Sequence, residues 1–358
     1  MSGISKKMMQ AAAGAGGDAA TVAYVVSADS KSITSIDVSN PLDLSVLSSF
    51  SGTEFNLARG VALDLSNQVA YVASVADDSF TSVDVSDPSS MSELDFLVSS
   101  TSFDAAARVS LDVSNQIAYI VTDEGITSVD ISSPSALSVL DSYESAASLE
   151  SANQCALDLT NEVVYIPFRN GITSIDVSNP SLLSELDSIS GPITDAFNSS
   201  VALDVENQVA YVVSFSNDSI SSIDISNPSS LSFMDTYDSS NLNGASGVSL
   251  DLENQVAYVV ASTDDSITAI DISNPSSLSE LGNYQNRTTL EGARSVALDL
   301  NSQIAYIASS FGDSITAIDI SNPSSLSEID SFSSVTDLES AFDVALNIPG
   351  PASTNAYE

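Results

Sequence analysis

A nine-residue motif that returns seven times constrains this 358-residue chain more tightly than anything else in it. The copies read ITSIDVSNP (33–41), FTSVDVSDP (80–88), ITSVDISSP (126–134), ITSIDVSNP (172–180), ISSIDISNP (220–228), ITAIDISNP (267–275) and ITAIDISNP (315–323). Around each copy lie short runs rich in Val, Ile, Tyr and Thr, punctuated by Asn, Asp, Gly, Ser and Pro. Such runs read as strands and turns. A period of roughly 40–50 residues built from short strands predicts a propeller rather than a solenoid or a string of separate domains.

The second unit shows four strand segments: RGVALDL (59–65), VAYVAS (69–74), SFTSVDVS (79–86) and SELDFLV (92–98). A Leu-Asp pair marks the first strand, at 63–64, 111–112, 157–158, 203–204, 250–251 and 298–299. A tyrosine marks the second: Tyr24, Tyr71, Tyr119, Tyr165, Tyr211, Tyr258 and Tyr306. Seven second strands thus follow only six first strands. The chain enters at TVAYVVS (21–27), and the missing strand turns up at the other end as FDVALNI (342–348).

The expected fold is therefore all-β, a seven-bladed β-propeller of four-stranded antiparallel blades. Its ring is closed by the C-terminal strand completing the N-terminal blade, which removes the open ends of a linear array. The expected layout is a leader over 1–17, a ring over 18–348 and a tail over 349–358. Blade 1 takes 18–56 plus 340–348, and the others take 57–104, 105–150, 151–198, 199–243, 244–291 and 292–339. The recurring lines "AYV…SITSIDISNPSSLSELD" resemble the LVIVD-repeat and YVTN-type propellers of surface and extracellular proteins over roughly 18–348. That resemblance implies the fold but names no activity, because propellers host many.

Composition narrows the function classes. Forty-eight acidic against eight basic residues give a formal net charge of −40. Such a surface repels nucleic-acid phosphates and anionic headgroups, so no nucleic-acid partner is expected. Salt reduces the self-repulsion, which points to a saline habitat, with bound Ca²⁺ as the competing explanation. No 18-residue apolar stretch occurs, so no membrane span is expected. Cys155 is the sole cysteine and stands in a first strand where other blades have Val, the place of a buried small hydrophobe. Histidine is absent, which removes Ser-His-Asp chemistry and His-metal sites. The expectation from this is a protein that is not an enzyme, with no cofactor.

The first residues, MSGISKKMMQAAAGAGG, stand outside the repeat. Positions 4–13 fit a short helix ended by glycines. Ile4, Lys6, Lys7, Met8 and Met9 are its candidate docking residues, with a weak signal peptide or a frayed terminus as alternatives. The segment resembles the starts of tailed-phage virion proteins. That likeness implies a display module on a virion, for decoration or host-surface contact, held by other virion or surface-assembly proteins through the leader. A secreted or cell-surface bacterial or archaeal adhesin is the alternative, and a propeller lyase or lactonase stands last.

Within the ring, residues present in every blade read as scaffold. The third-strand aspartates (37, 84, 130, 176, 224, 271 and 319) and the Leu-Asp aspartates are expected to accept turn amides. At the hairpin tips, Asp78, Asp218, Asp265 and Asp313 are weak Ca²⁺ candidates spread one per blade, with solvated turns as the plainer reading. Arg59, Arg108 and Arg294 begin first strands, and Gln154 takes the place of Arg108 in blade 4. If first strands line the channel, these residues gather at one mouth as a site for an anion or an acidic host-surface glycan. The alternative pairs each arginine with a nearby acid such as Asp104 or Glu291.

Overall fold

A computed structural model describes residues 21–191, 193 and 199–348, together with the backbone of 353–354. Seven antiparallel sheets form a ring of blades. In blade 1 the order from the channel outward is Ala341–Asn347, Val22–Ser27, Ser32–Asp37 and Ser45–Ser51. The inner strands of blades 2 to 7 are Ala58–Asp64, Arg108–Asp112, Ala156–Asp158, Ser200–Asp204, Ala245–Asp251 and Ala293–Asp299. Each packs against its two neighbours, and Ala341–Asn347 touches both Ala293–Asp299 and Ala58–Asp64. The ring is closed by the C-terminal strand. Its register repeats that of an ordinary blade: Ala345 faces Tyr24 as Ala62 faces Tyr71. One addition was not expected. Ser353–Thr354 pairs with Leu298 and Asp299 on the channel side of blade 7, giving that sheet a fifth strand.

The burial pattern explains the sequence pattern. The second strands, such as VAYVVS at 22–27 and VAYVAS at 69–74, are buried at every position. Both faces of a blade pack on other blades, so period-two alternation gives way to continuous apolar runs. The core is accordingly divided into clusters lying between adjacent blades. One joins Tyr24 and Val26 of blade 1 to Val61, Ala70 and Val83 of blade 2. Only the outermost strands, such as SELDFLV at 92–98, carry substantial exposure.

Polar side chains stitch the blades together where apolar packing ends. Ser35, Ser82, Ser128, Ser174 and Ser222 donate to the carbonyls of Pro88, Pro134, Pro180, Pro228 and Pro275 in the next blade's turn, at 2.5–2.6 Å. The hydroxyls of Tyr24, Tyr119, Tyr211, Tyr258 and Tyr306 reach the following blade's third strand or its end in the same way. The repeated aspartates hold turns: Asp84 accepts from the Ser86 amide, and Asp64 from the amide and side chain of Asn67.

Candidate functional site

Four residues before the leucine of each first strand, one residue per blade lines a common space at one end of the channel. In blade order these are Phe342, Arg59, Ala107, Asn153, Ser199, Ser246 and Arg294. In blades 1, 2, 6 and 7 that residue is the extra one of a β-bulge, between partners that skip Phe342, Arg59, Ser246 and Arg294. A bulge turns a side chain that would face the neighbouring blade toward a new direction, which is how strands re-aim residues at sites. Arg108 arrives from an ordinary ladder position opposite Val121, one residue later in its strand. Gly60 permits the crowding: a Cβ there would stand 2.6 Å from the Ala107 carbonyl and 2.8 Å from the Arg108 Cα.

The structure thus brings Arg59, Arg108, Arg294 and Gln154 together at one narrow space. The three guanidinium carbons lie 4.9, 5.2 and 5.5 Å from the Phe342 ring centroid. Arg108, buried, sits 3.8 Å from Asp343, which is itself completely buried. Asp343 also accepts from the Val61 amide at 3.0 Å and the Ser295 hydroxyl at 2.6 Å. Burial pushes its carboxyl above the usual carboxylate range, against the pull of Arg108 and these donors. Arg294 donates Nε to Ser310 Oγ at 3.1 Å, and its guanidinium lies 5.8 Å from the exposed ring of Phe311. Arg59 keeps a buried Nε with no hydrogen-bond partner. Desolvation, with repulsion from Arg108, pulls Arg59 below the ordinary guanidinium range, and Arg294 is lowered by desolvation and by both other arginines. Neither Arg59 nor Arg294 pairs with Asp104 or Glu291.

The space among these groups has a volume of about 10 Å³, room for one water-sized occupant. It adjoins a vestibule of about 280 Å³ lined by Arg59, Val75, Ala105, Asp123, Ser151, Ala152 and Asn153. Phe342 and Asp343 escape a reading based on the repeat, because they occur only in the closing strand. Their signal was present: aligned on Leu346, Asp343 stands where Gly60, Gly247 and Ser295 stand in other blades. The bulges have no comparable trace.

The acidic tips do not converge. Asp78, Asp218, Asp265 and Asp313 each accept a backbone amide from the next inter-blade loop, those of Ala105, Gly244, Gly292 and Ser340, at 2.9–3.0 Å. Among the described residues no three carboxylate, cysteine or histidine groups cluster as metal ligands. Cys155 is buried beside Ser110, and burial pushes its thiol up to about 11. Ile4, Lys6, Lys7, Met8 and Met9 lie outside the described residues. No described helix is long and apolar enough to cross a membrane.

A histidine-free ring with a cationic mouth is the frame in which relatives can be weighed. The LVIVD repeat matches at 59–96, 107–145, 158–190, 202–239, 252–286 and 293–334, and the chain belongs to that repeat family. No protein of curated function matches it in sequence. Among solved structures, a Lactobacillus plantarum protein superposes with a TM-score of 0.78 at 13% identity, over 92% of this chain and 99% of its own. The candidate 6-phosphogluconolactonase of Bacteroides uniformis ATCC 8492 gives 0.76 at 10% identity, over 92% and 100%. The periplasmic gluconolactonase of Pseudomonas aeruginosa gives 0.72 at 10%, over 92% and 99%. These likenesses are of fold. They nevertheless overturn the expectation that the chain is not an enzyme: solved rings of this architecture bear lactonase names, so the fold is compatible with catalysis.

Proposed function

We propose that the ring recognises an acidic sugar, whose carboxylate or phosphate is taken by the three-arginine mouth. The observation that carries this reading is the gathering of Arg59, Arg108 and Arg294 at one mouth in a chain of formal charge −40. Guanidinium matches carboxylate and phosphate in charge and in its fork of donors. The vestibule has the volume of a small ligand, and Asp123, Ser151 and Asn153 line it as groups for hydroxyls. Phe311, 66% exposed beside Arg294, adds an apolar face at the rim. The leader and the acidic surface support a place on a virion or another extracellular assembly, where such a module contacts host-surface glycans.

Calorimetric titration with glucuronate and N-acetylneuraminate, against glucose and N-acetylglucosamine, tests the reading. Binding is expected for the acids alone, with affinity about tenfold or more weaker in Arg59→Ala and Arg294→Ala. Unchanged affinity in variants that merely melt earlier would assign the arginines to the scaffold. The protein's presence in purified particles by mass spectrometry tests the virion placement.

The gluconolactonase neighbours favour a second reading, in which the acidic sugar is the product of lactone opening at this mouth. Asp123 is the carboxylate lining the vestibule and the candidate base for activating water. Proton release from glucono-lactone and its 6-phosphate, lost in Asp123→Asn, separates turnover from binding alone.

A further inference from the structure

The arginine mouth presents a charge imbalance of its own before any sugar arrives in the vestibule. Three guanidiniums converge on one phenyl ring, and the carboxylate among them, Asp343, is bound to Arg108, the Val61 amide and Ser295. Burying a charge without a partner is expensive, and guanidinium cannot shed its proton to escape. The phenyl face offsets part of this through cation–π contact. Arg59 still carries a buried Nε with no acceptor. The opening among Arg59, Arg108, Arg294, Ser199 and Ser246 has a volume of about 10 Å³. Such a space admits one occupant of roughly water size and no sugar. A positive space of that size, open toward the vestibule and walled by guanidinium N–H groups, matches a monatomic anion, while a sugar would present its acid group from the vestibule side.

We infer that the inner mouth is a halide site, holding one chloride among Arg59, Arg108 and Arg294. It rests on the cationic mouth that carries the acidic-sugar reading, and it specifies the resident counter-ion that a sugar's acid group would meet there. Chloride neutralises part of the guanidinium charge and accepts from the Arg59 Nε. In a salt-rich medium the site stays filled, so the halide acts as a structural pin for blades 2, 3 and 7. Being monatomic, it needs neither the vestibule nor Asp123.

Three measurements on the wild-type chain decide the matter without any variant. In chloride-free sodium methanesulfonate, adding sodium chloride at constant ionic strength is expected to raise Tm and to broaden the ³⁵Cl resonance saturably. Crystals grown in bromide are expected to show one anomalous peak inside the mouth. Arg59→Met should weaken the broadening about tenfold or more. Equal Tm in the two salts with no broadening would overturn the inference, as would bromide found only elsewhere; Phe342 and Asp343 would then suffice to hold the arginines. The acidic-sugar reading is judged separately, by titration in methanesulfonate, where its failure leaves the halide result untouched.

Discussion

Ser174 illustrates how a single hydroxyl decides the local strength of the ring. Its Oγ bridges blades 4 and 5 at 2.6 Å through the Pro228 carbonyl, while blades 6 and 7 carry Ala269 and Ala317 at the same place. The motif's drift from ITSID to ITAID therefore marks interfaces that dispense with this bond. Ser174→Ala should destabilise by about 1 kcal/mol, the net worth of one buried hydrogen bond, as measured by urea unfolding. Asp343 gives a residue-scale prediction with a pH sign. Its folded pKa is raised by burial, so its contribution to stability is fullest below the unfolded carboxyl value near 4 and declines as pH rises through the folded value. Melting wild type and Asp343→Asn in parallel from pH 4 to 8 should show the wild type losing ground to the variant as pH rises. A gap independent of pH would mean that Asp343 keeps its unfolded titration. Legibility at this scale followed repetition. The scaffold aspartates were readable because each recurs, and the arginines because they break a recurring pattern. Phe342 was missed because the closing strand looked like fold alone, and the bulged setting of Arg59 and Arg294 because a bulge leaves side-chain identities unchanged.

Among the elements, the closing strand and the short strand beyond it make opposite demands on the ring. Ala341–Asn347 supplies the whole inner edge of blade 1, burying Val344 and Leu346 against blade 7 and Ala345 against blade 2. Without it, Val22–Ser27 would present a row of unpaired backbone groups together with Val22, Tyr24 and Val26. Such an edge invites pairing with a second chain. A chain ending at Ser340 should lose a large share of a stability on the order of 5–15 kcal/mol and self-associate on gel filtration. Among the described residues, a chain ending at Ile348 lacks the two-residue pairing of Ser353–Thr354 with Leu298 and Asp299. It should elute on gel filtration as the full chain does, with nearly the same Tm. The split blade was legible from the count of Leu-Asp and Tyr markers. The fifth strand was not, since two residues of backbone pairing in a tail outside the repeat need no hydrophobic pattern.

At the scale of the whole molecule, charge works in opposite senses over different distances. The chain as a body is strongly negative, yet the mouth where an acidic ligand would arrive is lined by arginines with one carboxylate bound among them. At about 10 mM salt the Debye length is about 30 Å, so an approaching anion feels the acidic rim and tips before it feels Arg59. At about 0.15 M that length falls to about 8 Å, and repulsion from distant carboxylates fades while contacts inside the mouth persist. Association of an acidic sugar should therefore quicken as salt rises through this range, the reverse of the usual loss of electrostatic steering. The comparison is best made in sodium methanesulfonate, so that chloride does not compete for the mouth. Stopped-flow mixing with glucuronate would read the rate directly, and a neutral sugar analogue should show no such trend. If the rate for glucuronate instead falls steadily with salt, the field guiding it is positive at long range. The acidic surround would then fail to mask the arginine mouth, which would steer the ligand itself, because no other described part of this ring gathers three cationic side chains.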